Sequence, residues 1–231
     1  MKTIGMMGGM SWESSLEYYR IINETVHKRL GGYHSAKSVM VSVDFAEIES
    51  KMQPGLWENA GNKMVEAARA IEAAGAHFLI ICTNTMHNQA DLVSSSIHIP
   101  LIHIADAAGE KITEMNLKKI GLLGTRFTME QDFYRQRLAD RFGLDVLIPE
   151  TNDRQIIHEV IFNELVMGTI RDDSKQAYLQ IINQLVEAGA QGIILGCTEI
   201  GMLVKQADCT IPLFDTTILH AEAAVEYALK D

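Results

Sequence analysis

The chain has 231 residues and a hydrophobic fraction of 47%, enough for one large domain or two small ones with buried cores. Its net charge of −10 argues against a nucleic-acid surface, yet leaves room for an acidic small molecule in a local cationic pocket. No apolar run reaches the ~18 residues of a membrane span, the first residues lack a secretory leader, and the three cysteines lack framework spacing, so they read as reduced thiols of a cytoplasmic protein.

Residues 2–7 form a short apolar run ending in Gly8-Gly9, which predicts a strand and a tight turn. Ser11 follows as an N-cap, with Ser14, Leu16, Tyr19, Ile22 and Val26 at helical spacing behind it. Residues 38–44 are rich in β-formers and predict a strand; residues 57–74 are alanine-rich and amphipathic, a helix. Strands are expected at 78–82 and 100–104. The second half restarts with a strand at 119–123, a helix at 127–141, a strand at 145–148 and a helix at 153–166 closed by Gly168. A helix at 174–188, a strand at 192–196 and a last helix at 220–229 complete the chain. The alternation predicts an α/β fold of two pseudo-symmetric half-domains, each a parallel sheet covered by helices. Ligands bind such sheets at the carboxyl ends of the strands. Here those ends are Gly8-Gly9-Met10, Asp44, Thr83-Asn84-Thr85, Gly124-Thr125 and Cys197-Thr198-Glu199.

The chain also resembles itself. Residues 75–85 lie over residues 189–199 without a gap, and the alignment sets Thr83, not Cys82, opposite Cys197. Residues 2–9 match 119–125 when Gly5 pairs with Gly121 and Gly8 with Gly124, and residues 99–102 match 211–214. Single apolar matches arise by chance between strands of parallel sheets, but three in the same order and at nearly the same offset indicate two homologous halves. The division expected is 1–100 plus 213–231 for one domain and 101–212 for the other.

Met7-Gly8-Gly9-Met10-Ser11, Cys82-Thr83-Asn84-Thr85 and Gly196-Cys197-Thr198-Glu199, in this order, resemble the motifs of the aspartate/glutamate racemase family. The resemblance covers nearly the whole chain. It implies a racemase that uses no pyridoxal phosphate or other cofactor, takes a small amino acid as substrate, and works in a cleft between two α/β domains. It further implies two cysteines, one per domain, that remove and return the Cα proton on opposite faces. The family's first cysteine directly precedes the motif Asn; here Thr83 stands there and the thiol has moved back to Cys82. A one-residue shift on a strand turns a side chain to the other face, so Cys82 is expected in the core and Thr83 in the site. Thr83 and Cys197 are therefore the catalytic candidates. As a thiolate, Cys197 is a credible base; the threonine hydroxyl is a poor one and at best passes a proton on. The resemblance points to a preference for L substrates, with L-aspartate and L-glutamate leading.

Without an electron sink, the carbanion needs hydrogen-bond donors around its carboxylate. Ser11, Asn84, Thr85 and Thr198 are the candidates, with Met10 and the Gly8-Gly9 turn shaping the wall and Thr125 at the neighbouring strand end. Gln53 lies where some family members place a cation for the side-chain carboxylate, and the lysine expected within residues 164–168 is replaced by an apolar residue, so a broader L-amino-acid range is also open. Glu199 either orients the partners of the thiol, binds the substrate ammonium or caps a helix. His87 either tunes the site or bonds locally, and His220 either supports the site or caps its helix. His103 and Asp106 have the spacing of metal ligands, but no further ligands group with them, so no metal is expected. Gly5-x-x-Gly8-Gly9 is not a nucleotide fingerprint. Rival readings are a single-cysteine decarboxylase or maleate-isomerase-like enzyme of the same superfamily, and a non-catalytic cytoplasmic amino-acid binder. A homodimer is one assembly open to such a chain.

Overall fold

A computed structural model of the protein describes residues 1–52 and 56–230; Gln53 lies outside the described residues. The chain folds as two compact units. One is Met1–Ile104 with the stretch from His220 onward, the other Ala105–Leu219.

The first unit contains β1 (Ile4–Gly8), α1 (Trp12–Leu30), β2 (Ser38–Ser42), α2 (Phe45–Glu49), α3 (Trp57–Ala73), β3 (Phe78–Ile81), α4 (Ala90–Ser95) and β4 (Leu101–Ile102). Its four strands are all parallel, in the order β2-β1-β3-β4. The period of two along each strand sets the layers. Ile4, Met6, Phe78, Ile80 and Cys82 share one face and are buried with Tyr18, Ile22 and Val26 of α1. On the opposite face, a Cβ on Gly5 would strike Ile71 of α3, so the helix packs close against the strand there. The β1–α1 turn needs Gly9: its φ is +92°, and a Cβ would collide with the Val43 carbonyl.

The chain enters the second unit along α5 (Ile104–Glu114). There follow β5 (Lys119–Gly124), α6 (Arg126–Glu130), α7 (Asp132–Phe142), β6 (Asp145–Leu147), α8 (Thr151–Asn163), α9 (Asp172–Glu187), β7 (Ile193–Gly196), α10 (Ile200–Leu203), β8 (Leu213–Asp215) and α11 (Thr216–Leu229). The strands are again parallel, in the order β6-β5-β7-β8, which repeats the first sheet strand for strand. The chain returns to the first unit within α11, whose Ala221, Ala224, Val225 and Ala228 join the core formed with α1. No helix among the described residues is long and apolar enough to cross a membrane.

Several element bounds differ from expectation for local reasons. The helix expected at 127–141 is broken at Gln131, which is extended at φ −85° and ψ 152°. Thr125 caps the first piece, and Asp132 in the first turn of the second suits the positive end of its dipole. The helix expected at 153–166 stops at Asn163, and a 3-10 turn, Leu165–Met167, carries the chain to a left-handed Gly168. The strand expected at 100–104 shrinks to two residues because α5 begins at Ile104. Strand pairing puts Leu101 and Ile102 in the first sheet and Leu213 to Asp215 in the second. The crossings between the units accordingly lie at 104/105 and 219/220, against the expected 100/101 and 212/213.

Candidate active site

In the first unit, Met10, Ser11, Thr83, Asn84 and Thr85 gather at the carboxyl ends of β1 and β3. Ser11 is the N-cap of α1, its hydroxyl accepting from the Ser14 N–H at 3.2 Å. The next serines bind the strand ends. Ser14 Oγ donates to the Cys82 carbonyl at 2.8 Å, and Ser15 Oγ accepts from the Gly9 N–H at 2.8 Å. Cys82 is fully buried in the core, and burial pushes its thiol well above the ordinary range. Thr83 begins the turn that follows β3 and is half-buried; its N–H bonds to the Ile81 carbonyl at 2.8 Å. Asn84, Thr85 and Met10 are buried beside it. His87 Nδ1 lies 2.7 Å from the Thr83 carbonyl.

In the second unit, Thr125, Cys197, Thr198 and Glu199 gather at the ends of β5 and β7. Two glycines let these strands close up: a Cβ on Gly124 would lie 2.8 Å from the Gly196 carbonyl, and one on Gly196 2.7 Å from that of Leu123. Thr216 Oγ1 donates to the Leu195 carbonyl at 2.8 Å and fixes the same strand end. After Gly196 the backbone turns into α10, and the turn brings residues 197 and 199 together. Cys197 Sγ donates to Glu199 Oε2 at 3.0 Å, and Thr198 Oγ1 donates to the same oxygen at 2.7 Å. Glu199 is buried and makes no side-chain cap to α10, which removes the capping role considered for it. Thr125 is the N-cap of α6, accepting from the Thr128 N–H at 3.3 Å.

The electrostatics bear on one expectation. Cys197 is partly exposed at the strand end, yet burial first, and the Glu199 carboxylate second, push its thiol well above the ordinary range. Both influences disfavour the thiolate, and the thiol donates to the carboxylate. A sequence pattern of i and i+2 does not reveal this, since on a strand the two side chains would share a face but lie farther apart. Burial also pushes the phenol of Tyr178 on α9 up, with Cys197 and Glu164 adding to it, and its hydroxyl donates to the Ile157 carbonyl at 3.0 Å. The sequence offered no signal for Tyr178.

Strand register is in step with the sequence repeat, which matches Met7 to Leu123 and Ile81 to Leu195. Met7 pairs with Ile81 in the first sheet and Leu123 with Leu195 in the second. Two residues past each pair stand Thr83 and Cys197; Cys82 matches Gly196. A family model described as Asp/Glu/Hydantoin racemase matches residues 7–224. The chain belongs to that family. A Yersinia pestis protein classed with the Asp/Glu racemases superposes at a TM-score of 0.93, with 48% identity over the full length of both chains. An aspartate racemase homologue from Pyrococcus horikoshii OT3 gives 0.86 and 32%, again over both full lengths. The broad specificity amino-acid racemase RacX of Bacillus subtilis (strain 168) is 22% identical over 169 residues, covering 70% of this chain and 69% of its own.

The relatives carry the names of racemases, which are isomerases, and this chain is an amino-acid racemase. Among the described residues no group of three or more His, Cys, Asp or Glu is arranged to hold a metal ion. The Asp106 carboxylate accepts from Arg137 Nε at 2.6 Å and Nη2 at 2.7 Å, and from Arg141. His103 is buried and its ring lies against His87.

Proposed function

We propose that this racemase interconverts amino-acid enantiomers without a cofactor, acts preferentially on L-aspartate and L-glutamate, and does so with Thr83 and Cys197 on the two faces of the substrate Cα. The observation that supports this reading is the Cys197–Glu199 bond at the end of β7, at the position that the sequence repeat matches to Thr83. Burial and the Glu199 carboxylate both disfavour the thiolate of Cys197. An incoming α-ammonium supplies the missing positive charge. The thiol then sheds its proton to Glu199, and the thiolate takes the Cα proton of the L enantiomer. The electron pair moves into the α-carboxylate, which becomes enediolate-like; Asn84 and Thr85 are proposed as its donors, with Met10 and Ser11 forming the wall beside them. Thr83 Oγ–H delivers a proton to the opposite face and recovers one from water. Cys197 keeps the proton taken from Cα, and Glu199 gives its proton to the hydroxide left by that water. Gln53 and Thr125 are proposed to line the substrate's side chain.

The broad specificity of the Bacillus subtilis relative makes the substrate panel part of the test. In D₂O, L-aspartate and L-glutamate are expected to lose the Cα–H signal by NMR faster than neutral amino acids do, and Cys197→Ser to abolish that loss. A Cys197→Ser enzyme that still exchanges the proton overturns the assignment; faster exchange of a neutral amino acid overturns the acidic preference alone.

A further inference from the structure

Thr83 is the weak partner of the proposed pair, so what fixes it decides whether it works at all. Both of its main-chain polar groups are tied. The N–H bonds to the Ile81 carbonyl at 2.8 Å, and the carbonyl meets His87 Nδ1 at 2.7 Å. At the other side of the ring the Ile104 N–H donates to Nε2 at 3.2 Å. A nitrogen that accepts a backbone N–H carries no proton, so the proton of the neutral imidazole sits on Nδ1 and is donated to Thr83. With its backbone held from both sides, Thr83 has little left to vary but χ1.

The brace is itself braced. The His87 ring lies 4.4 Å, centroid to centroid, from His103 and 5.7 Å from His220. His220 Nε2 meets the Ile102 carbonyl at 2.8 Å, and its Nδ1 meets the Tyr18 hydroxyl at 2.8 Å. A carbonyl only accepts, so His220 carries its proton on Nε2 and takes the Tyr18 hydrogen on Nδ1. The three imidazoles are buried, and two of them hold opposite tautomers set by the main chain at Ile102 and Ile104. A core histidine with its hydrogen bonds satisfied needs none of this to end on Thr83.

The duplicated architecture supplies the control. The repeat that sets Thr83 against Cys197 sets His87 against Gly201, which has no side chain to reach back to Cys197; a Cβ there would strike the Asp215 carboxylate. Only the half that carries the hydroxyl has the imidazole.

We propose that His87 is the positioning residue for Thr83: by fixing the Thr83 carbonyl it sets the hydroxyl's approach to the second face of the carbanion. This rests on the Thr83–Cys197 pairing proposed above. The two halves of the reaction are read separately in D₂O with L-aspartate, where Cα–H loss reports Cys197 and formation of the D enantiomer reports Thr83. His87→Ala is expected to slow inversion by about 10- to 100-fold, as small misplacements of reacting groups do, while exchange stays within about twofold. His87→Asn keeps a donor near the Thr83 carbonyl and is expected to recover most of the inversion. His87→Gln, which reaches toward Ile104 instead, is expected to recover less. Equal loss of exchange and inversion in His87→Ala, or no loss of either, overturns the proposal. Should His87→Ala not fold, the order of Asn and Gln decides, and Gln inverting faster than Asn overturns it. A wild-type enzyme that exchanges nothing overturns the underlying pairing, which distinguishes that failure from failure of the brace.

Discussion

At the scale of single residues, the Cys197–Glu199 contact sets two demands against each other. A thiol beside a carboxylate is hard to ionise, which protects it between turnovers but requires a cation before it can act as a base. Glu199→Gln removes the charge and keeps an acceptor for the thiol. The thiol then falls toward its usual range of about 8.5, and its thiolate fraction near neutral pH rises. Alkylation of Cys197 at pH 7.5, located by peptide mass spectrometry, is expected to speed up, while Cα–H exchange slows at least about tenfold because the proton has lost its relay. If exchange and alkylation rise together, Glu199 merely restrains the thiol. Site-resolved detection is needed because Cys209 is also partly exposed.

At the scale of elements, β3 and β7 run out into similar turns, one carrying Thr83 and the other Cys197. Thr83→Cys places a thiol at the position that the sequence repeat matches to Cys197. The wild-type enzyme is expected to exchange the L substrate faster than it inverts it and to exchange the D substrate slowly; the variant is expected to bring inversion up toward exchange from both sides. Equal exchange of both enantiomers by the wild type would show that Thr83 is not the weak partner. These strand ends were legible in the sequence because an apolar run with a period of two tells which side chains share a face. Cys82 falls in phase with Phe78 and Ile80, and the structure buries all three together. Short elements were not legible. The five residues of α2, the six of α4 and the four of α10 are too few for a helical period to show. Gln131 interrupts a helix that the pattern of its neighbours would continue. The bond between Cys197 and Glu199 was invisible for a related reason: it depends on a turn directly after β7, where periodicity stops. His87, His103 and His220 each drew notice singly, but only the fold brings their rings together.

At the scale of the whole molecule, buried acids that stay protonated make stability fall on the alkaline side. Cys82 and Cys197 both have folded-state values raised by burial, whereas unfolded thiols ionise near about 8.5. Below that pH both states hold the proton and stability is unaffected. Above it the unfolded chain binds fewer protons, and each thiol costs up to about 1.4 kcal/mol per pH unit until its folded value is passed. Tyr134 and Tyr178, raised by the same cause, act with the same sign above about 10. The urea midpoint is therefore expected to be level from pH 6 to 8 and to drop beyond it. Cys82→Ala is expected to be about 1 kcal/mol less stable at neutral pH, from the cavity, but to show a shallower alkaline drop. A drop equally steep in that variant would assign the effect to other groups. The path of the chain through its two units has a further consequence, for synthesis. The second unit is one unbroken stretch, Ala105–Leu219, whereas the first needs both early and late sequence, because Ala221, Ala224, Val225 and Ala228 seal the face formed by Ile4, Met6, Phe78 and Ile80. On the ribosome, where domains tend to fold as they emerge, the half begun first is the half finished last. Until α11 is released, a nascent chain carries a completed second unit behind a first unit whose apolar seam is still open to whatever chaperone or neighbour reaches it.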